Sequence, residues 1–198
     1  MSSFKFTIDK QWDSTDVNHD KRVEISLEPS TDNNSGSLII KITAPFFDDP
    51  ARPDGEPGEP FPQLWDYEVV EVFFLGDDEK YLEVELSPHG QHLVLLLNGC
   101  RKCFKDQLSL KYTARIDGTQ WSGEAVLPAD YFPPNVSKLN AYAIYGSGNN
   151  RQYEALYPVP KDLFSQPDFH RLEYFQSIDF KNLVPSTQNR SDYWKNIT

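Results

Sequence analysis

The sequence predicts an all-β protein, an antiparallel β-sandwich with at most short helical turns. Two observations carry this. Apolar residues alternate with polar ones, or run unbroken, over stretches of strand length, and no amphipathic pattern exceeds two helical turns. Gly, Pro, Asn and Asp punctuate these stretches at short, nearly regular intervals, as expected of a sandwich or barrel. Aromatic residues make up 14 % of the chain, which suits pleated, half-buried surfaces. At 198 residues and 38 % hydrophobic, the chain can bury one good core. The expected organisation is a single sandwich domain over residues 1–185 and a C-terminal polar tail at 186–198, docked by Trp194.

The strongest pattern lies at 64–97. Residues 69–75 are apolar except for Glu71, as in a central strand covered on both faces. In residues 81–86, Leu82, Val84 and Leu86 alternate with Tyr81, Glu83 and Glu85, so period two sets them on opposite faces. Residues 92–98 make a third run. Gly76-Asp77-Asp78-Glu79 and Ser87-Pro88-His89-Gly90 are the turns between them.

The flanking chain reads the same way. Strands are expected at 4–8, 22–27 and 37–44, with a polar turn at 29–36. Residues 45–62 then form a proline-rich loop whose prolines favour order. Residues 108–116 and 121–127 flank Asp117-Gly118, a hairpin signal. A helical turn is expected at 128–134, strands at 140–145 and 152–157 around a Gly-Ser-Gly-Asn-Asn turn, and a last strand within 170–180.

A net charge of −11 argues against nucleic acid, because phosphate binding needs clustered Lys and Arg. No run approaches the roughly 20 apolar residues of a membrane helix, and the N-terminus lacks a basic region followed by an apolar stretch. The expected partners therefore exclude nucleic acid and membrane, and the expected location is cytoplasmic. Cys100-Arg-Lys-Cys103 has no second pair with which to complete a zinc site. It follows Asn98-Gly99 in β-like sequence rather than opening a helix, so it is expected to be structural rather than redox-active.

Two segments carry a resemblance. The stretch Trp65-Asp-Tyr-Glu-Val-Val-Glu71-Val-Phe-Phe resembles the Trp-x-x-Asp-x-Val-Glu-x-Phe signature of type nine carbohydrate-binding modules and their DOMON-like relatives. The stretch beginning Arg151-Gln-Tyr-Glu-Ala-Leu-Tyr-Pro, followed by Pro167-Asp168-Phe169-His170 and Tyr174-Phe175, resembles the module's closing segment. The resemblance spans most of residues 20–180 and is strongest to a group of uncharacterised intracellular animal proteins built on that module. It implies a β-sandwich, in agreement with the strand pattern. It also implies that two rings sandwich one sugar at a chain end. Their positions are Trp65, six residues before Glu71, and Phe169, six residues before Phe175. A sugar's C–H face is apolar while its hydroxyl rim needs hydrogen bonds, so such a site pairs rings with polar side chains. The chain departs from the family where sugar binders carry an Arg and an Asn, because Glu83 and Glu85 stand there. Some members bind calcium through loop carboxylates. Asp48-Asp49 and Asp77-Asp78 are the candidates here, without the interleaved spacing of a dedicated loop. Met1 is the only methionine, which excludes haem ligation by a His/Met pair.

Glu71 is the most informative residue. An unpaired carboxylate in an apolar run costs several kcal/mol, so it must reach an edge, a cation or a wet pocket. Glu83 and Glu85 share a face and fit either a solvated surface or a carboxylate cluster. The candidate ligand-binding set is Trp65, Tyr67, Glu71, Glu83, Glu85, Phe169 and His170, with the 45–62 loop as a rim. No catalytic residue, metal ligand or cofactor is assigned. The leading expectation is a non-catalytic module for a small ligand such as a carbohydrate. The alternatives are a protein-interaction module using a sheet edge and the 45–62 loop, or a glycosidase-like enzyme using the three glutamates.

Overall fold

The structure is a computed structural model that describes residues 3–31, 36–180, 183, 191–195 and 197. The alternating stretches become strands β1 (Phe4–Ile8), β2 (Lys10–Gln11), β3 (Val23–Pro29), β4 (Leu38–Pro45), β5 (Val69–Leu75), β6 (Lys80–Leu86), β7 (His92–Asn98), β8 (Cys103–Lys105), β9 (Lys111–Asp117), β10 (Gln120–Leu127), β11 (Lys138–Tyr145), β12 (Gln152–Ala155) and β13 (Gln176–Ser177). They form two antiparallel sheets. One runs β1-β3-β4-β10-β9, and the other β2-β12-β11-β5-β6-β7-β8 with β13 beside β11.

Period two decides what each sheet buries. In the β5–β6–β7 ladder, Val72 pairs with Val84, which in turn pairs with Val94. These side chains and their i±2 neighbours pack against Ile25, Leu27, Ile40, Ile42, Trp121 and Leu127 of the smaller sheet, making the core. The Tyr112 hydroxyl donates to the Ser87 carbonyl at 2.7 Å within it.

The larger sheet is covered on its outer face as well. Val69, Phe73, Tyr81, Leu93, Leu95, Tyr142 and Ile144 lie under Leu64, Phe169, Leu172 and Phe175 from two non-strand segments. Both faces of β5 are therefore buried, which is why its sequence is apolar almost throughout. Glu83 and Glu85 do not form a solvated face, because the same cover buries them.

The 45–62 loop is docked against the β6–β7 turn. Gln91 Nε2 donates to the Gly55 carbonyl at 2.6 Å, and the Gly58 amide to the Gly90 carbonyl at 2.8 Å. The helical turn expected at 128–134 is a 3₁₀ turn, Ala129–Tyr131.

Two elements differ from expectation. The strand expected from residue 108 begins at Lys111. The strand expected within 170–180 is instead a 3₁₀ turn, Leu172–Tyr174, followed by the two residues of β13. The reason is spacing: Phe169, Leu172 and Phe175 recur every three residues, the period of a 3₁₀ turn laid on a sheet, not of a strand. The short strands β2 and β8 carry too few residues for alternation to show them.

Part of the expected 29–36 turn (32–35) and most of the 186–198 tail (186–190, 196 and 198) lie outside the described residues. Trp194 is buried in the core, and its indole N–H donates to the Tyr131 carbonyl at 3.1 Å. No helix among the described residues is long and apolar enough to cross a membrane.

Candidate functional site

The cover on the outer face is incomplete, and the gap is a cleft of about 720 Å³, within the range of small-ligand sites. Its floor is the β5–β6–β7 face, where Glu71, Glu83, Leu95 and Leu97 open into it. Its walls are the 3₁₀ turn Leu64–Asp66, the β7–β8 turn, the Ser147–Arg151 turn and the 167–170 segment. Pro50 brings the 45–62 loop to its rim.

Trp65 stands on this cleft and is 39 % exposed, whereas Trp121 and Trp194 are 2 % and 1 % exposed in the core. Trp65 is therefore not a packing residue. Its turn is held by Arg151, whose Nη2 donates to the carbonyls of Trp65 and Tyr67 while Nη1 donates to that of Gly146. Phe169 also lines the cleft and is stacked on Tyr142, with ring centroids 3.8 Å apart and planes at 7°. One face of the Phe169 ring is thereby occupied inside the protein.

His170 lies beside Phe169. Its Nδ1 is 2.7 Å from the Tyr81 hydroxyl, which also accepts the Arg101 amide at 2.9 Å. Burial, reinforced by the Arg101 charge and opposed by Asp168, pushes the imidazole down to about 4, so it is neutral at physiological pH. Arg101 turns its guanidinium to Asp168 at 2.7 Å.

The floor holds the least ordinary chemistry. Glu71 faces Glu85 directly across β5 and β6, and Glu83 lies two residues along the same face. One carboxylate oxygen from each lies within 4.8 Å of those of the other two. All three side chains are buried, at 2 %, 5 % and 0 % exposure for Glu71, Glu83 and Glu85. Burial pushes all three carboxyls up, Glu83 to about 8. The neighbouring carboxylates raise Glu71 and Glu85 further, while Arg151 pulls on Glu71 and Arg101 on Glu83 in the other direction. Neither oxygen of Glu85 meets hydrogen-bond geometry with any partner, although its carboxyl lies against that of Glu83.

Of the sequence-predicted set, Trp65, Glu71, Glu83, Phe169 and His170 line the cleft together. Glu85 lies beneath the lining, in contact with it through the cluster. Tyr67 does not line it, because its ring packs edge-on against Phe61 at 5.5 Å. Sequence reasoning did not single out Arg101, Arg151, Asp168 or Tyr153, which also line the cleft. Arg151 stood inside the closing motif and Arg101 inside the Cys-x-x-Cys pair. The available signal was that buried carboxylates call for cations nearby. Both cysteines are exposed free thiols, and Cys103 begins the edge strand β8. Of the loop carboxylates, Asp77 accepts from Asn135 and Asp78 pairs with Lys80. Neither they nor Asp48 and Asp49 gather with a third acidic, His or Cys group among the described residues.

No family model matches the chain. A structure from Bacteroides uniformis, named as a "putative carbohydrate-binding protein", superposes with a TM-score of 0.62 at 13 % identity, covering 88 % of this chain and 84 % of that one. That likeness shows the shared β-fold. Sequence relatives lie much nearer. The human UPF0462 protein C4orf33 is 52 % identical over 195 residues, and its zebrafish homologue 51 %, each with 96 % of both chains covered. The mouse homologue is 50 % identical, covering 96 % of this chain and 99 % of its own. At that identity over nearly the whole length, the chain belongs to the UPF0462 (C4orf33) family.

Proposed function

We propose that the chain is a non-catalytic, cytosolic module of the type nine carbohydrate-binding, DOMON-like kind, and that it takes a small carbohydrate in the cleft on the outer face of the larger sheet. The observation that carries this reading is Trp65, a large ring held out at the cleft by a cationic clamp in a protein that buries Trp121 and Trp194. An indole face in that position stacks on the apolar C–H face of a sugar. Glu71 and Glu83 on the floor take up hydroxyls, and Phe169 adds a second ring to the lining. The fold shared with the Bacteroides protein adds support. Exposed free thiols at Cys100 and Cys103 suit a reducing compartment.

Binding is favoured over glycoside hydrolysis by the disposition of the carboxyls. The three approach a ligand from one side, as a floor, whereas hydrolysis needs two that flank the scissile bond. Calorimetric titration with a panel of mono- and oligosaccharides tests the reading. Saturable binding that disappears in Trp65→Ala, with the melting temperature preserved, is the expected result. A well-folded protein inert to every sugar would overturn it, and turnover of aryl-glycosides abolished by Glu71→Gln would replace it with the enzymatic alternative.

A further inference from the structure

Buried carboxylates in proteins are normally matched by cations or by several hydrogen bonds. Among the described residues none of Glu71, Glu83 and Glu85 forms an ion pair. The two arginines close enough to act on them are committed elsewhere. Arg101 is paired with Asp168, and Arg151 donates to three backbone carbonyls. Glu85 is the extreme case: it is fully buried, neither of its oxygens meets hydrogen-bond geometry with a partner, and the group lying against it is the carboxyl of Glu83.

That deficit has a definite shape. One oxygen from each carboxylate fits within a span of 4.8 Å. A calcium ion bound to oxygens at about 2.3–2.6 Å spans about 4.6–5.2 Å between opposite ligands, so the three oxygens fit one such sphere. The donors are all hard oxygens, which selects calcium or its like over zinc or copper. Glu71 and Glu83 open into the cleft, leaving one side of the sphere for water. The three sit on adjacent, centrally placed strands, so the cluster is held rigidly.

We propose that Glu71, Glu83 and Glu85 form a binding site for a single calcium ion on the floor of the cleft, with Glu85 as its innermost ligand. Bound calcium replaces the missing partners of Glu85 and lets the three carboxyls ionise together. The site is distinct from the loop carboxylates at 48–49 and 77–78, and it does not depend on the carbohydrate reading.

The test is calorimetric titration of the EDTA-treated full chain with calcium chloride at pH 8, without sugar, where protons compete least for the carboxylates. One saturable site is expected, weaker at least tenfold in Glu85→Gln and in Glu83→Gln and unchanged in Asp48→Asn and Asp77→Asn. Glu85→Gln keeps the side chain's shape and removes only its charge. Its melting temperature in EDTA should equal or exceed that of the unaltered chain, which separates lost binding from lost folding. No saturable binding, binding untouched by Glu85→Gln, or a preference for magnesium or zinc over calcium would each overturn the proposal.

Discussion

Glu71 and Glu85 are direct cross-strand partners at the centre of the larger sheet, two carboxyls face to face where the flanking pairs are Val70–Leu86 and Val72–Val84. Like charges directly opposite one another destabilise a sheet, and burial magnifies the effect. Without a bound cation, Glu85→Gln should therefore stabilise the protein, by about 1–2 kcal/mol at pH 8. A rise of roughly 2–8 °C in melting temperature in EDTA is expected. A fall of that size would mean that Glu85 already has a favourable partner.

The tryptophans should separate cleanly. Trp65→Ala should cost less than about 1 kcal/mol, because the ring is exposed on a 3₁₀ turn and packs into neither core cluster. Trp121→Ala, which empties the sandwich core, should cost about 3–5 kcal/mol. Urea denaturation of both variants measures the contrast. Equal losses would make Trp65 a packing residue.

Arg151 acts on the cleft through the turn that carries Trp65. Its fork satisfies carbonyls of Gly146, Trp65 and Tyr67 at once, which a lysine's single ammonium cannot reproduce in the same geometry. Arg151→Lys should weaken ligand binding several-fold while the fold persists. It should also increase proteolytic cleavage near residues 63–68, which reports the loosened turn, because lysine keeps the charge and loses only the fork.

His170 sets an acid limit. Its pKa lies below that of an unfolded histidine, at about 4 against 6.5, because burial and Arg101 disfavour the imidazolium. Between those values the unfolded chain binds a proton that the native state refuses, so stability is lost as pH falls from about 6.5 toward 4. The full shift corresponds to roughly 2–3 kcal/mol after allowance for the ring's partial exposure. Comparing the pH dependence of unfolding in the unaltered chain and in His170→Phe should show a shallower acid slope in the variant. Identical slopes would refute the assignment.

The sandwich was legible because its strands are long enough to show their period. Residues 69–98 alternate or run apolar without interruption, and their turns carry Gly, Pro and Asp. Glu71 could be marked from sequence alone, since a carboxylate in such a run needs a special surrounding, and it lies on the cleft floor. The burial of Glu83 and Glu85 was not legible. Alternation says which side a residue faces, but not whether that side is covered. The cover comes from Leu64 and from Phe169, Leu172 and Phe175, up to 92 residues away in sequence. The closing segment was misread for a related reason. Its side chains answer to the sheet beneath them and repeat every three residues, a period too short to recognise over seven residues.

Trp194 has a consequence for synthesis. Its ring fills the same core as Ile8 on the first strand, and its N–H reaches back to Tyr131. On a ribosome the sandwich therefore cannot close its interior until residue 194 has cleared the exit tunnel. Until then, nascent β-rich chain with paired but incompletely packed sheets must wait with apolar surface open, the condition in which chaperones engage a polypeptide. A message stalled or terminated before codon 194 would release a product still unable to finish folding.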